Sequence, residues 1–182
     1  MRLKHLIIFL TLTLCSLAAA QGVGSEAPAF NLVNAQGESV ILADFRGQPL
    51  ILNVWASWCA PCVEELPFFQ RLYTEINDAG EDLNILLVNN GENPAEAVAF
   101  LQDLEVTLPT ALDPTKEQRE ASKAQDIVLE DTSNLLRNYR VRGMPTTFFI
   151  DAEGTIRGVK VGLLLPSEAP ALLASIGVNW EP

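Results

Sequence analysis

The pattern of apolar and polar positions along the chain predicts alternating strands and helices. Residues 50–55 form a nearly continuous apolar run, as expected of a strand that is buried on both faces of a parallel sheet, and residues 83–88 form another. Between these runs, apolar residues recur at intervals of three and four, which is typical of a helix with one buried face. That helix is expected to begin just beyond Cys59, and its apolar positions are Leu66, Phe69, Tyr73 and Ile76.

Shorter patterns complete an α/β chain. Residues 30–33 and 40–42 flank a turn at 34–37, which predicts an N-terminal β-hairpin. Strand, helix, strand and helix in succession indicate α/β architecture. The remaining predicted elements are a helix at 94–104, a short helix at 135–141, a strand at 146–150, its returning partner at 155–161 and a last helix at 166–176.

One segment departs from this pattern. Residues 115–126 contain no apolar residue apart from Ala121 and Ala124, and they mix charges of both signs. Such a stretch is typical of an exposed helix or a mobile insertion, so residues 113–133 are interpreted as an exposed insertion. The apolar residues 127–129 are expected to tether it.

The N-terminus has the pattern of an export signal. A short basic stretch, residues 1–5, precedes residues 6–20, which carry no charge and end in three alanines. The apolar stretch is shorter than the roughly 20 residues that span a bilayer. We therefore expect residues 1–20 to be a cleaved signal peptide and residues 21–182 to form one domain in the periplasm or another extracytoplasmic compartment. An uncleaved membrane anchor and a buried N-terminal helix are the alternatives.

Composition narrows the classes of function. With 12 basic against 23 acidic residues, the chain has a net charge of −11, which argues against binding to nucleic acid. Its only histidine is His5, and of its three cysteines Cys15 also lies in the signal, so export would leave one cysteine pair and no histidine. Haem attachment needs a histidine where Val63 stands, and a four-ligand zinc site of Cys and His lacks ligands. No metal or other cofactor is expected beyond a redox-active disulfide.

The cysteine pair lies where thiol chemistry is favoured. The sequence Trp58-Cys59-Ala60-Pro61-Cys62 follows a predicted buried strand and opens a predicted helix. A helix N-terminus stabilises a thiolate, and a spacing of three residues brings the second sulfur back towards the first. This arrangement supports attack by one thiolate and release by the other through a mixed disulfide. By position, Cys59 is the expected exposed nucleophile and Cys62 the buried resolving thiol; an inert disulfide is the alternative.

These residues resemble the thioredoxin superfamily, and within it the exported TlpA/ResA-type thiol–disulfide oxidoreductases of cytochrome c maturation. The matching motifs are residues 53–62, Pro67 and residues 143–148. The resemblance implies a thioredoxin-like fold with an N-terminal β-hairpin and an insertion before a cis-proline loop. It also implies that Pro145 is cis beside the cysteines, that Met144 offers its backbone to a substrate and that Trp58 forms a wall of the site.

The chain also departs from thioredoxin in its expected proton chemistry. Asn53 occupies the position of a buried aspartate in thioredoxin, so that proton acceptor is absent. Glu65 matches a glutamate of the TlpA/ResA type, one helical turn after Cys62, where it could exchange protons with the thiols. A solvated helix surface is the alternative for Glu65, with Glu64 expected to point outward. The insertion at 113–133 is longer than the family usually carries there.

The resulting hypothesis is an extracytoplasmic enzyme that reduces protein disulfides, for example in cytochrome c biogenesis. Its expected partners are a protein disulfide substrate and an upstream, membrane-bound thiol reductant, and a monomer is expected. A disulfide oxidase or isomerase and a non-catalytic binding module remain alternatives. So does a peroxiredoxin-like peroxidase, although that chemistry needs a hydroxyl where Ala56 stands.

Overall fold

The N-terminal hairpin is present in the computed structural model, which describes residues 22–181. Strands β1 (Asn31–Val33) and β2 (Ser39–Ile41) pair antiparallel and form a two-stranded sheet of their own. A 3-10 turn, Leu42–Phe45, follows directly and was not predicted from the sequence pattern. The hairpin lies beside the rest of the domain through Val33, whose backbone exchanges two hydrogen bonds with Leu112.

A five-stranded mixed sheet forms the centre of the molecule. Its strands are β3 (Leu50–Trp55), β4 (Asn84–Asn89), β5 (Thr110–Ala111), β6 (Thr146–Ile150) and β7 (Ile156–Val161). Their order is β5-β4-β3-β6-β7, with β3, β4 and β5 parallel, β6 antiparallel to β3, and β7 antiparallel to β6. The strand β3 is buried along its whole length, as its continuous apolar run predicts.

Helices cover both faces of this sheet. They are α1 (Ala60–Asp78), α2 (Pro94–Asp103), α3 (Lys116–Lys123), α4 (Thr132–Asn138) and α5 (Ala169–Ser175). Alternate residues of β3 face opposite cores: Ile51 and Trp55 pack with the buried residues of α1, α2 and α5, while Leu52 packs with α4 and the N-terminal hairpin. The predicted α/β class and the hairpin are therefore confirmed.

The segment 113–133 is held differently from the way its sequence predicts. Helix α3 is largely exposed, in keeping with its polar composition. The expected apolar tether is wrong for Val128, which is 78% exposed, whereas Leu129 packs against the core as predicted. Hydrogen bonds with Asn31 add to this contact: the Glu130 N–H donates to the Asn31 carbonyl at 2.7 Å, and Asn31 Nδ2 donates to the Val128 carbonyl at 3.1 Å. The segment is therefore held by one apolar contact together with paired polar groups.

The predicted signal peptide, residues 1–20, lies outside the described residues. Between residues 22 and 181, no helix combines the length and the apolar character that crossing a membrane requires.

Candidate active site

Four chain segments meet at one end of the central sheet. Strands β3 and β4 run parallel and end together, and Val54 near the end of β3 lies opposite Thr146, the first residue of β6. The Gly162 N–H, just beyond β7, donates to the Pro145 carbonyl at 2.8 Å. The segments that share this end are 56–59, 90–93, 143–145 and 162–166.

The two cysteines form a disulfide at the start of α1. Their Cα atoms are 5.2 Å apart. Cys59 is the N-cap of the helix and Pro61 lies in the first turn, where a missing N–H costs little because it would have no helical partner. Cys59 is 7% exposed and Cys62 is fully buried, so Cys59 is the more accessible sulfur but not an exposed residue in this disulfide form.

Glu65 lies one helical turn after Cys62 and is only 1% exposed, so the surface alternative for this side chain is wrong. Its Oε1 accepts a hydrogen bond from Asn53 Nδ2 at 2.7 Å, and its Oε2 accepts one from the Leu164 N–H at 2.9 Å. Burial raises the pKa of Glu65 to about 7, although both hydrogen bonds and the charge of Lys160 act to lower it. A carboxyl with this pKa can accept or donate a proton at neutral pH.

Asn53 is the residue that positions this carboxylate from the sheet. Besides its bond to Glu65, Nδ2 donates to Thr147 Oγ1 at 3.0 Å, and Thr147 is the register partner of Asn53 on β6. The Asn53 Oδ1 atom is buried and has no hydrogen-bond partner among the described residues. Asn53 therefore contributes a donor to the site and no titratable group of its own.

Glu92 is a second carboxylate at the site, and sequence reasoning did not single it out. It accepts hydrogen bonds from the Ser57 N–H at 2.9 Å, from the Ser57 hydroxyl and from Asn89 Nδ2 at 2.7 Å. Burial alone would raise the pKa of Glu92, but these hydrogen bonds outweigh it and hold the pKa below its usual value. Glu92 thus fixes the turn that leads into Cys59. The contact joins residues 35 positions apart, and no local pattern signals it.

The other predicted site residues either flank the cysteines in the chain or belong to a segment at the same end of the sheet. Trp58, directly before Cys59, is 67% exposed. The Met144–Pro145 peptide bond is cis, and Met144 packs against both faces of the core. A cavity of about 550 Å³ lies elsewhere, between the N-terminal hairpin and α2, and none of its lining residues belongs to this site. Within residues 22–181, no group of three or more His, Cys, Asp or Glu side chains is arranged to hold a metal ion.

Comparison with known proteins assigns this chain to a family and a fold. The AhpC/TSA family model matches residues 23–159, so the chain belongs to that family. The thioredoxin domain of a thiol–disulfide oxidoreductase from Bacteroides vulgatus superimposes with a TM-score of 0.68, at 21% identity, over 85% of this chain and 98% of the other. The predicted thioredoxin-like fold is thereby confirmed.

Closer relatives define the activity. The thiol–disulfide oxidoreductase ResA of Geobacillus kaustophilus is 32% identical over 157 residues, which cover 86% of this chain and 79% of the relative. ResA of Bacillus subtilis is 31% identical, covering 79% and 70%. A Chlorobium tepidum structure assigned as the thiol:disulfide interchange protein DsbE has a TM-score of 0.67 at 28% identity, covering 85% and 95%. The chain is a thiol–disulfide oxidoreductase of the ResA/DsbE type.

Proposed function

We propose that this protein reduces disulfides of protein substrates outside the cytoplasm, with Cys59 as the attacking thiol and Cys62 as the resolving thiol. The observation that carries the proposal is the cysteine pair at the start of α1, with Cys59 the more accessible sulfur and a buried carboxylate one turn beyond Cys62. Residues 60 and 61, between the cysteines, are alanine and proline, and the absence of a histidine there favours a reducing potential over an oxidising one.

The proposed cycle transfers two electrons to the substrate. The Cys59 thiolate attacks one sulfur of a substrate disulfide, and the other substrate sulfur leaves as a thiolate that takes a proton. Cys62 then gives its proton to the Glu65 carboxylate and attacks the Cys59 sulfur. This step releases the second substrate thiol and leaves the Cys59–Cys62 disulfide. An upstream dithiol returns the pair to the reduced state through the same exchange in reverse.

The residues around the disulfide are the proposed binding surface. Trp58 offers an exposed aromatic side chain, and Met144 and Pro145 border the cysteine loop from the start of β6. We assign them contact with the substrate chain that flanks the attacked disulfide. The proposed upstream donor is a membrane-bound thiol reductant. We further propose that the protein acts as a monomer and that its redox-active cysteine pair needs no other cofactor.

The compartment and the substrate are proposed on sequence grounds. The basic and apolar pattern of residues 1–20 supports export to the periplasm or another extracytoplasmic space. A cysteine pair in a cytochrome c precursor is the substrate that the resemblance implies. Export can be tested by fusing alkaline phosphatase, which is active only in an oxidising compartment, after residue 25. We expect an active fusion, and an intact but inactive fusion would contradict export.

The Cys62→Ser variant provides the most informative experiment. Because the resolving thiol is gone, Cys59 is expected to remain joined to its substrate, and the mixed disulfides can be identified after non-reducing electrophoresis. Cys59→Ser is the matched control and is expected to lose both turnover and adducts. If Cys59→Ser accumulates adducts and Cys62→Ser does not, the assigned order of the two thiols is wrong.

The direction of electron flow is tested separately by insulin reduction and by titration of the redox potential against glutathione. A reductant is expected to precipitate insulin chains catalytically in the presence of a thiol donor. A potential as oxidising as that of the strong disulfide oxidases would overturn the reductive direction and favour an oxidase.

A further inference from the structure

Three polar residues form a row across the sheet beneath α1. Asn53 on β3 pairs in register with Thr147 on β6, and Thr147 pairs with Lys160 on β7. Register partners on neighbouring strands point to the same face of a sheet, so Lys160 lies on the face that carries Glu65. Gly158, two residues earlier on β7, supports this orientation because a Cβ placed there would meet Leu172 of α5 on that same face.

The outer end of this row is held by an ion pair. Lys160 Nζ lies 2.5 Å from Glu168 Oε1, and Glu168 is the residue directly before α5. The Lys160 side chain is 25% exposed, and its ammonium group is held in place by the Glu168 carboxylate. The sheet edge thus brings a fixed positive charge to the side of the carboxylate site.

The loop after β7 donates hydrogen bonds to the carboxylates of both Glu65 and Glu168. The Leu164 N–H donates to Glu65 Oε2 and the next amide, Leu165 N–H, donates to Glu168 Oε2, each at 2.9 Å. Consecutive amides therefore bind the buried carboxylate of Glu65 and the more exposed carboxylate of Glu168. Lys160 lies on β7, the strand that leads into this loop.

We propose that Lys160, anchored by Glu168, is a positioning residue that favours the ionised form of Glu65 and so keeps it ready to take the proton of Cys62. The inference rests on the proposed function of Glu65. Burial opposes ionisation of a carboxyl, and a nearby cation offsets part of that cost. In agreement, the charge of Lys160 lowers the pKa of Glu65 against the effect of burial.

No other described charge competes for this role. The α1 helix contributes Cys62, which is neutral as a disulfide, and β3 and β6 contribute only the uncharged Asn53 and Thr147. The loop after β7 contributes only the Leu164 amide, and α5 contributes Glu168 behind Lys160. Lys160 is therefore the one cation among residues 22–181 that acts on Glu65.

The test is a pH titration of Glu65 in the full-length oxidised protein by ¹³C NMR of its carboxyl carbon, assigned as the resonance that Glu65→Gln removes. Lys160→Met, which keeps the apolar stem and loses the charge, is expected to raise the titration midpoint by about one pH unit. Lys160→Arg is expected to return the midpoint towards that of the natural protein. Lys123→Met, an equal loss of charge in α3, is the matched control and is expected to leave it unchanged.

A kinetic readout connects this titration to exchange. The pH at which mixed disulfides resolve at half their maximal rate is expected to rise in Lys160→Met in parallel with the midpoint. An unchanged Glu65 midpoint in Lys160→Met, or an equal shift in Lys123→Met, would overturn the inference while leaving the proposed function intact. Absence of protein disulfide reduction by the natural protein would overturn the proposed function. The two failures can be told apart, because the NMR titration does not depend on activity.

Discussion

Two glutamates flank the cysteine pair, and their surroundings give them opposite proton affinities. Glu65 lies in α1 on the side that faces the sheet, is buried and receives two hydrogen bonds, and its pKa is raised. Glu92 lies at the end of β4, is half-buried and receives three hydrogen bonds, and its pKa is lowered. Desolvation outweighs hydrogen bonding for Glu65, whereas hydrogen bonding outweighs partial desolvation for Glu92. One carboxyl is suited to moving protons and the other to holding a loop.

The largest expected effect comes from placing a second carboxyl beside Glu65. Asn53→Asp removes the Nδ2 donor and adds a buried acid, so that above pH 7 two neighbouring carboxylates would have to ionise together. We expect a loss of about 3 to 5 kcal/mol in the free energy of unfolding there, measured by urea denaturation. Below pH 4.5 Glu65 is protonated in the folded protein, so the repulsion between the two groups is absent and the loss is expected to be smaller. An equal loss at both ends of this pH range would show that Glu65 is not the cause.

The second effect is the pH dependence that Glu65 itself imposes. Its folded pKa of about 7 exceeds the ordinary value of 4.5, so the folded state holds a proton that the unfolded state has released. The stabilising contribution is complete below pH 4.5 and is lost as the pH rises to 7, by about 3 kcal/mol.

Glu65→Gln is expected to remove this slope, which urea denaturation across the pH range would measure. The neighbouring, exposed Glu64 offers the matched control, since Glu64→Gln is expected to leave the slope unchanged. A slope that persists in Glu65→Gln belongs to another group and would contradict the contrast between the two glutamates.

The smallest effect is expected for Glu92, and its sign is opposite. Because its pKa lies below the ordinary value, Glu92 stabilises the fold at neutral pH and this contribution is lost as the pH falls below 4.5. Glu92→Gln is expected to disturb one of the three accepted hydrogen bonds, because the substitution replaces one acceptor oxygen of the carboxylate with an NH2 group that can only donate. We expect a cost of about 1 kcal/mol at pH 7 that shrinks in acid, measured in the same way. Glu96→Gln, on the exposed surface of α2, is the control. An equally large loss in the free energy of unfolding in that variant would rule out a specific role for Glu92.

Features that depend on neighbouring residues in the chain could be recognised from the sequence. The bounds of β3 and β6 follow from local apolar runs, and the start of α1 follows from the cysteine motif and its proline. The two-residue strand β5 was missed because so short a segment has no period of its own; it is a strand only because β4 lies beside it. Val128 was misjudged because an apolar side chain does not reveal whether the surface above it is covered.

The α/β class and the position of the cysteine pair at a strand-to-helix junction follow from the sequence, because each depends on local spacing, and the family resemblance added Glu65 as the carboxylate one turn beyond the pair. The burial of Glu65, its hydrogen bonds with Asn53 and Leu164, and the positions of Lys160 and Glu92 on other strands and loops became known from the folded chain. The physical reason is that the proton affinity of a carboxyl depends on the solvent, donors and charges around it. In this fold most of them come from residues distant in the chain.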